Sequence, residues 1–168
     1  GIGAAVAMAE FIQYLAAQGK LLSDQLADLY KKYGYHSAYN SYYICRSPDT
    51  IRTIFDHIRS SYPKALCGFE VARVVDLTVG FDSGAPDEKA SFPKQSGQFI
   101  TFYLAMGGVI TFRTSGTEPK IKFYSELRNE PGSDEPKEAT DARWKEIAEK
   151  LVHELLQPLK YGLTPRSE

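Results

Sequence analysis

Apolar residues recur along this chain with two different spacings, and the changes of spacing mark its elements. From Ala4 to Ala17 the residues are good helix formers. Val6, Met8, Phe11, Ile12 and Leu15 fall largely on one side, and Gly19 is an end signal. A second helix is expected with Ser23 as N-cap, Leu22, Leu26, Leu29 and Tyr30 as its apolar face, and Gly34 as its stop. Ala38 to Arg46 carries Tyr39, Tyr42, Tyr43 and Ile44 and is β-prone. Ser47-Pro48 opens a helix, serine as cap and proline at its first position. Ile51, Ile54, Phe55 and Ile58 then recur at helical spacing and should face a core. Phe69 to Val79 reads as a strand, and Phe81 to Gln95 as a loop broken by glycine and proline. Phe99 to Leu104 and Val109 to Phe112 are strands flanking the hairpin signal Gly107-Gly108. Ile121 to Tyr124 is another strand. Asn129 to Pro136 is polar and is expected to be mobile. A last helix from Ala139 to Leu156 buries Trp144, Ile147, Ala148, Leu151 and Leu155, and Pro158 stops it.

Strand, helix, strands, helix after Tyr35 imply an α+β layer, one antiparallel sheet with helices packed on one face. Composition agrees. The chain has 168 residues, 43% hydrophobic and 24% charged, enough for a sizeable core and unlike a disordered segment. Formal net charge is -1 with no basic stripe, so nucleic acid is not an expected partner, and any attraction for phosphate must be local. Cys45 and Cys67 sit in apolar stretches where buried free thiols are common, though one disulfide between them stays open. Nothing resembles a disulfide framework or a zinc site, and a reducing cytoplasm is the expected location. No run reaches membrane-spanning length, and no basic region precedes the first apolar stretch, so neither a membrane partner nor a signal peptide is expected. The opening Gly1-Ile2-Gly3-Ala4 has no initiator Met and reads as the inside of a helix, which points to a fragment of something longer.

The chemistry concentrates in ten residues, Arg113-Thr114-Ser115-Gly116-Thr117-Glu118-Pro119-Lys120-Ile121-Lys122. Backbone amides around a small glycine-containing turn can converge on an anion. The Ser115 and Thr117 hydroxyls can add donors, Arg113 offers a planar fork for phosphate oxygens, and Lys122 can return its charge from the outgoing strand. Ser-Gly-Thr is also an ordinary turn sequence, so spacing alone leaves two readings.

The segment resembles the C-terminal signature of the alpha-D-phosphohexomutases, Arg-x-Ser-Gly-Thr-Glu-Pro-x-x-Arg/Lys. The match is unbroken through Arg113, Ser115, Gly116, Thr117, Glu118 and Pro119, with Lys122 in the final basic position. Gly1, Ala4 and Ala5 match the end of the family's Lys-Asp-Gly-x-x-Ala-Ala segment, and Tyr33-Gly34-Tyr35 resembles the linker between its third and fourth domains. The resemblance implies that residues 1–34 are a remnant of the third domain with a linker helix. Residues 35–168 would then be the C-terminal phosphate-binding domain, similar in outline to the TATA-box-binding protein without its DNA function. It implies that Arg113, Thr114, Ser115, Gly116, Thr117 and Lys122 grip the non-reacting phosphate of a sugar phosphate. The parent enzyme, which also supplies the preceding domains, would transfer phosphate through a sugar bisphosphate with Mg2+ nearby. Tyr33-Gly34-Tyr35, Ser41-Tyr42 and Leu156-Gln157-Pro158 look most like the eukaryotic phosphopentomutase branch.

The family's Ser-His loop, its Asp-x-Asp-x-x-Arg magnesium loop and its Glu-x-Ser-Gly sugar loop are not found in this sequence; Asp82-Ser83-Gly84 lacks the glutamate. No residue here is therefore expected to be catalytic, and the chain alone is expected to be inactive. A free-standing anion-binding or interaction module is the alternative. His36, His57 and His153 are scattered without a nucleophile or carboxylate pair beside them, and the eleven tyrosines read as half-buried strand residues. Glu118 is expected to have a structural role, neutralising part of the loop or orienting Lys120.

Overall fold

The computed structural model describes residues 1–166. Helices α1 (Ile2–Ala17) and α2 (Leu22–Tyr33) lie in one unit, Gly1–His36 with Asn129–Asp134. Gly19 adopts φ +68° just after α1, as an end signal should. The start of α2 differs from expectation. Leu21 is the N-cap residue, and its N–H donates to the Asp24 carboxylate at 2.9 Å. Ser23 therefore lies inside the first turn, and the acidic side chain answers the exposed amide at the helix start. Gly34, at φ +89°, ends α2 with its N–H on the Tyr30 carbonyl at 2.9 Å. The apolar stripes of these helices are not core. In α1 only Leu15 is buried, while Val6, Met8, Phe11, Ile12, Leu22, Leu26 and Leu29 are exposed. In the same unit the Asn129 N–H donates to the Tyr35 carbonyl at 2.8 Å, and Asn129 is buried.

The second unit, Ser37–Arg128 and the chain from Glu135 onward, is built on one sheet. Its longer strands are β1 (His36–Ile44), β3 (Phe69–Asp76), β5 (Phe99–Leu104), β6 (Gly108–Thr114) and β7 (Lys120–Arg128). Three two-residue strands, β2 (Ala65–Leu66), β4 (Phe81–Asp82) and β8 (Thr164–Pro165), complete it. The order is β2-β3-β5-β6-β7-β1-β8, with β4 on β3, and β3–β5, β5–β6 and β6–β7 are all antiparallel.

Alternation sorts the strand residues onto two faces. Val74, Ile100, Phe102, Leu104, Ile110, Phe112, Ile121, Phe123 and Leu127 point to one side and are buried. Helices α3 (Pro48–Ser60) and α4 (Lys137–Leu156) cover that side with Ile54, Phe55, Ile58, Trp144, Ala148, Leu151, Val152, Leu155 and Leu156 in the same cluster. The helix starts as Ser47-Pro48 requires: the Thr50 N–H donates to Ser47 Oγ at 3.2 Å, and Pro48 opens the first turn. At the other end of α4, Gln157 adopts the left-handed conformation, and Pro158 begins the short α5 (Pro158–Tyr161). Cys45 and Cys67 are free thiols, the first buried.

The β5–β6 hairpin uses its two glycines differently from a two-residue turn. The loop is Ala105-Met106-Gly107, closed by the Gly107 N–H on the Leu104 carbonyl at 3.0 Å, and Gly107 takes φ +89°. Gly108 already belongs to β6. An added Cβ there would lie 2.8 Å from Trp144 Cη2 and 2.9 Å from Cζ3, so the glycine admits the indole, which is fully buried. Gly108→Ala forces that ring aside and is expected to destabilise by about 1–3 kcal/mol, the ordinary cost of overpacking. Thermal unfolding followed by circular dichroism should show a Tm roughly 3–10 °C lower; an unchanged Tm would show that the indole is not held against β6.

Candidate anion-binding site

The ten-residue segment forms the hairpin between β6 and β7. Both strands are longer than their apolar runs: β6 continues through Arg113 and Thr114, and β7 begins at Lys120. The register sets Arg113 opposite Lys122 and Thr111 opposite Tyr124, so these four side chains stand on the sheet face away from the helices. Arg113 stacks on Tyr124, its guanidinium carbon 5.3 Å from the ring centroid, and its Nη2 donates to the Tyr124 hydroxyl at 3.3 Å. Its Nε is buried and has no partner among the described residues.

The loop leaves donors free. The Ser115 N–H donates to the Lys120 carbonyl at 2.9 Å and closes the base, and the Lys120 N–H donates to the Glu118 carbonyl at 2.8 Å. Among the described residues the amides of Gly116, Thr117 and Glu118 make no hydrogen bond. Gly116 has an ordinary φ and open space where a side chain would stand. The fold therefore does not demand glycine there, and its absence of a side chain leaves the turn open to an incoming group.

The three cations are unequal. Lys120 Nζ lies 2.7 Å from Glu118 Oε1 and 4.2 Å from the Tyr42 ring centroid. The hydrogen bond to Lys120 holds the Glu118 carboxyl below the usual carboxylate range, and the same bond pushes Lys120 up. Lys120 is thus committed, as its expected pairing with Glu118 requires. Lys122 is only 3.9 Å from the other Glu118 oxygen, which leaves Arg113 and Lys122 as the cations available to an anion.

Thr114 is bound from the side. Its N–H donates to the Gln98 carbonyl at 3.0 Å, and its Oγ1 accepts from the Gln98 N–H at 3.0 Å. The hydroxyl proton is still free to donate. This contact brings in a wall that pattern reading missed. Gln95, Ser96, Gly97, Gln98 and Phe99 face Arg113–Gly116 across a groove of about 320 Å³. An added Cβ on Gly97 would lie 2.7 Å from Thr114 Oγ1. That lone glycine was the one local signal of a close approach.

The remaining candidates lie elsewhere. His57 is on α3 and His153 on α4, both exposed, and His36 begins β1. Tyr39, Tyr42 and Tyr43 are half-buried on β1, where they line a separate groove. Burial, reinforced by its hydrogen bond to Glu149, pushes the Tyr39 phenol up to about 12. Among the described residues no three His, Cys, Asp or Glu side chains cluster as metal ligands, and no helix is long and apolar enough to cross a membrane.

No family model matches the chain. It is 44% identical over 174 residues to a phosphopentomutase of Pongo abelii, covering 100% of this chain and 28% of that protein. It is 40% identical over 173 residues to a human glucose 1,6-bisphosphate synthase, covering 99% and 28%. The chain therefore spans about 28% of the length of these curated relatives. Among solved structures it resembles the open form of the exocytosis-sensitive phosphoprotein pp63/parafusin, a phosphoglucomutase from Paramecium. That match has a TM-score of 0.57 and 17% identity, over 88% of this chain and 26% of the other.

The open space at Gly116 separates binding from folding. Gly116→Leu should leave the Tm within about 2 °C of the parent value, as exposed substitutions do. It should weaken inorganic phosphate binding by about tenfold, equivalent to 1.4 kcal/mol. Paired thermal melts and phosphate titrations check this; unchanged phosphate affinity would show that no anion approaches the turn.

Proposed function

We propose that this chain, a C-terminal segment of the alpha-D-phosphohexomutase superfamily, holds the non-reacting phosphate of a sugar phosphate in a phosphoglucomutase- or phosphopentomutase-like enzyme. The observation that carries the reading is the pairing of Arg113 with Lys122 beside three unbonded loop amides. Arg113 supplies a planar guanidinium held against Tyr124. Lys122 supplies a second charge, the Gly116–Glu118 amides supply neutral donors, and the Ser115 and Thr117 hydroxyls complete the set. These groups can bind and orient a phosphate.

The chemistry then belongs to parts of the parent enzyme outside this chain, and runs through a sugar bisphosphate by intramolecular phosphotransfer. Mg2+ is assigned to the parent enzyme as well. The same grip would serve substrate and bisphosphate intermediate alike, since both carry a phosphate at this end. The identity to a phosphopentomutase favours the pentomutase branch. We assign residues 1–34 to the preceding domain with a linker helix, residues 35–168 to the phosphate-binding domain, and the whole to the cytoplasm.

Steady-state kinetics of the full-length protein, with and without added sugar bisphosphate, tests this. A hydrogen bond to a charged group is worth roughly 1.5–3 kcal/mol. Arg113→Ala should accordingly lower kcat/KM about ten- to a hundredfold, and Arg113→Lys should be impaired because it keeps the charge and loses the fork. Ser115→Ala should cost less, since the amides remain. Loss of grip should also make the Arg113 variant depend more on added bisphosphate. The isolated 168-residue chain should not convert glucose 1-phosphate or ribose 1-phosphate. If Arg113→Ala matches wild type, the loop is an ordinary turn and the chain a different kind of module.

A further inference from the structure

A buried ion pair on the far side of the groove is wired to the anion loop. Arg59, near the end of α3, has a side chain 14% exposed; Asp76, at the end of β3, has one that is 0% exposed. The Arg59 Nε donates to Asp76 Oδ2 at 2.7 Å. The Tyr62 hydroxyl, 3.0 Å away, and the Thr78 N–H, 2.9 Å away, complete the carboxylate. Burial and Asp76 push the Tyr62 phenol far up, so it remains a donor. Three donors at short range satisfy the buried charge without further help.

Arg59 nevertheless reaches further. Its Nη2 lies 3.5 Å from Asp76 Oδ1 and donates to Gln98 Oε1 at 2.5 Å. Gln98 in turn spends its main-chain carbonyl and amide on Thr114, each at 3.0 Å. Thr78 grips the same segment, its Oγ1 accepting from the Phe99 N–H at 2.9 Å and donating to the Gly97 carbonyl at 3.3 Å. Thr114 sits between Arg113 and Ser115 in the chain. A continuous set of bonds therefore runs from the buried pair, through the wall segment, to the residue at the mouth of the anion loop.

We propose that Arg59 is a positioning residue for this site, acting through the Gln98 side chain to fix the wall segment and Thr114. The proposal rests on the reading of the Arg113–Lys122 loop as a phosphate site. An ion pair serving only the fold needs Asp76; the bond to Gln98 is the part that belongs to the groove. Effective binding sites hold their ligand-touching groups within about 0.5 Å by such supporting bonds. Gln98 bonds Thr114 through its main-chain amide and carbonyl, and its side chain accepts from Arg59.

The test titrates inorganic phosphate into the 168-residue chain, followed by ¹H–¹⁵N NMR well below the unfolding transition, so each spectrum also reports the fold. The variants are Gln98→Met, Arg59→Lys, their double variant, and Arg113→Ala as control. Gln98→Met keeps the main-chain bonds and the length and removes the carboxamide that accepts from Arg59; Arg59→Lys keeps the charge on Asp76 and loses the second donor. Each single variant should weaken phosphate binding about three- to tenfold, and the double variant should be no weaker than the worse single, the mark of coupled residues. If Arg113→Ala weakens binding while Gln98→Met and Arg59→Lys bind as wild type, the network only holds the fold and the proposal is wrong. Additive losses would also overturn it, since Arg59 would then not act through Gln98. If Arg113→Ala itself binds as wild type, the phosphate reading fails and the positioning role falls with it. Should Arg59→Lys not fold, Gln98→Met decides alone, because it leaves the buried pair intact.

Discussion

The register of β6 against β7 holds two cations face to face. Arg113 and Lys122 are direct cross-strand partners, and like charges at such positions repel. The fold compensates only in part. Tyr124 offers Arg113 its ring face and hydroxyl, and Glu118 stands 3.9 Å from Lys122. One guanidinium N–H stays buried without a partner, which is costly in a folded chain. A sequence selected for stability alone has no reason to keep this arrangement. A bound anion would ease the first of these by screening the two charges from each other.

The one-sided core makes that arrangement possible. Helices α3 and α4 cover one sheet face and take up its apolar residues, with Trp144 seated against Gly108. On β6 and β7 the opposite face carries Thr111, Arg113, Lys122 and Tyr124. Gly108 and Arg113 lie on the same strand, so the packing that fixes β6 at its glycine end also fixes the strand that delivers the arginine. Rigid strands are a better base for such a site than the loop itself.

What pattern could read here is what local chemistry decides. The Ser47-Pro48 helix start, the apolar face of α4 and the two halves of the β5–β6 hairpin were all legible, because caps, periodicity and turn residues act within a few positions. The Arg113–Lys122 stretch could be singled out for the same reason, being contiguous. The two-residue strands β2, β4 and β8 were not, since two residues cannot show a period. Ser23 was a fair cap by type, but Asp24 one step on gave the Leu21 amide a charged acceptor. The apolar stripe of α1 was visible while its exposure was not, because periodicity shows which face is apolar and not whether anything covers it. The Arg59–Gln98 bond was silent: a contact across 39 positions leaves no mark in the neighbourhood of either residue.

The charge balance constrains how such a site can work. The chain as a whole carries -1, so no long-range field draws an anion toward it. At physiological ionic strength charges are screened beyond about 8 Å, and Lys120 is already neutralised by Glu118 at 2.7 Å. What remains acts at contact: two cations, three amides and a few hydroxyls within one hairpin. Affinity in that regime comes from donors held in place before the ligand arrives, since little charge is left to draw loose donors in. Glu118 then has a use besides orienting Lys120. By tying down one cation at the loop it would leave an anion only the place between Arg113 and Lys122, so that direction, more than charge, would set what the hairpin holds.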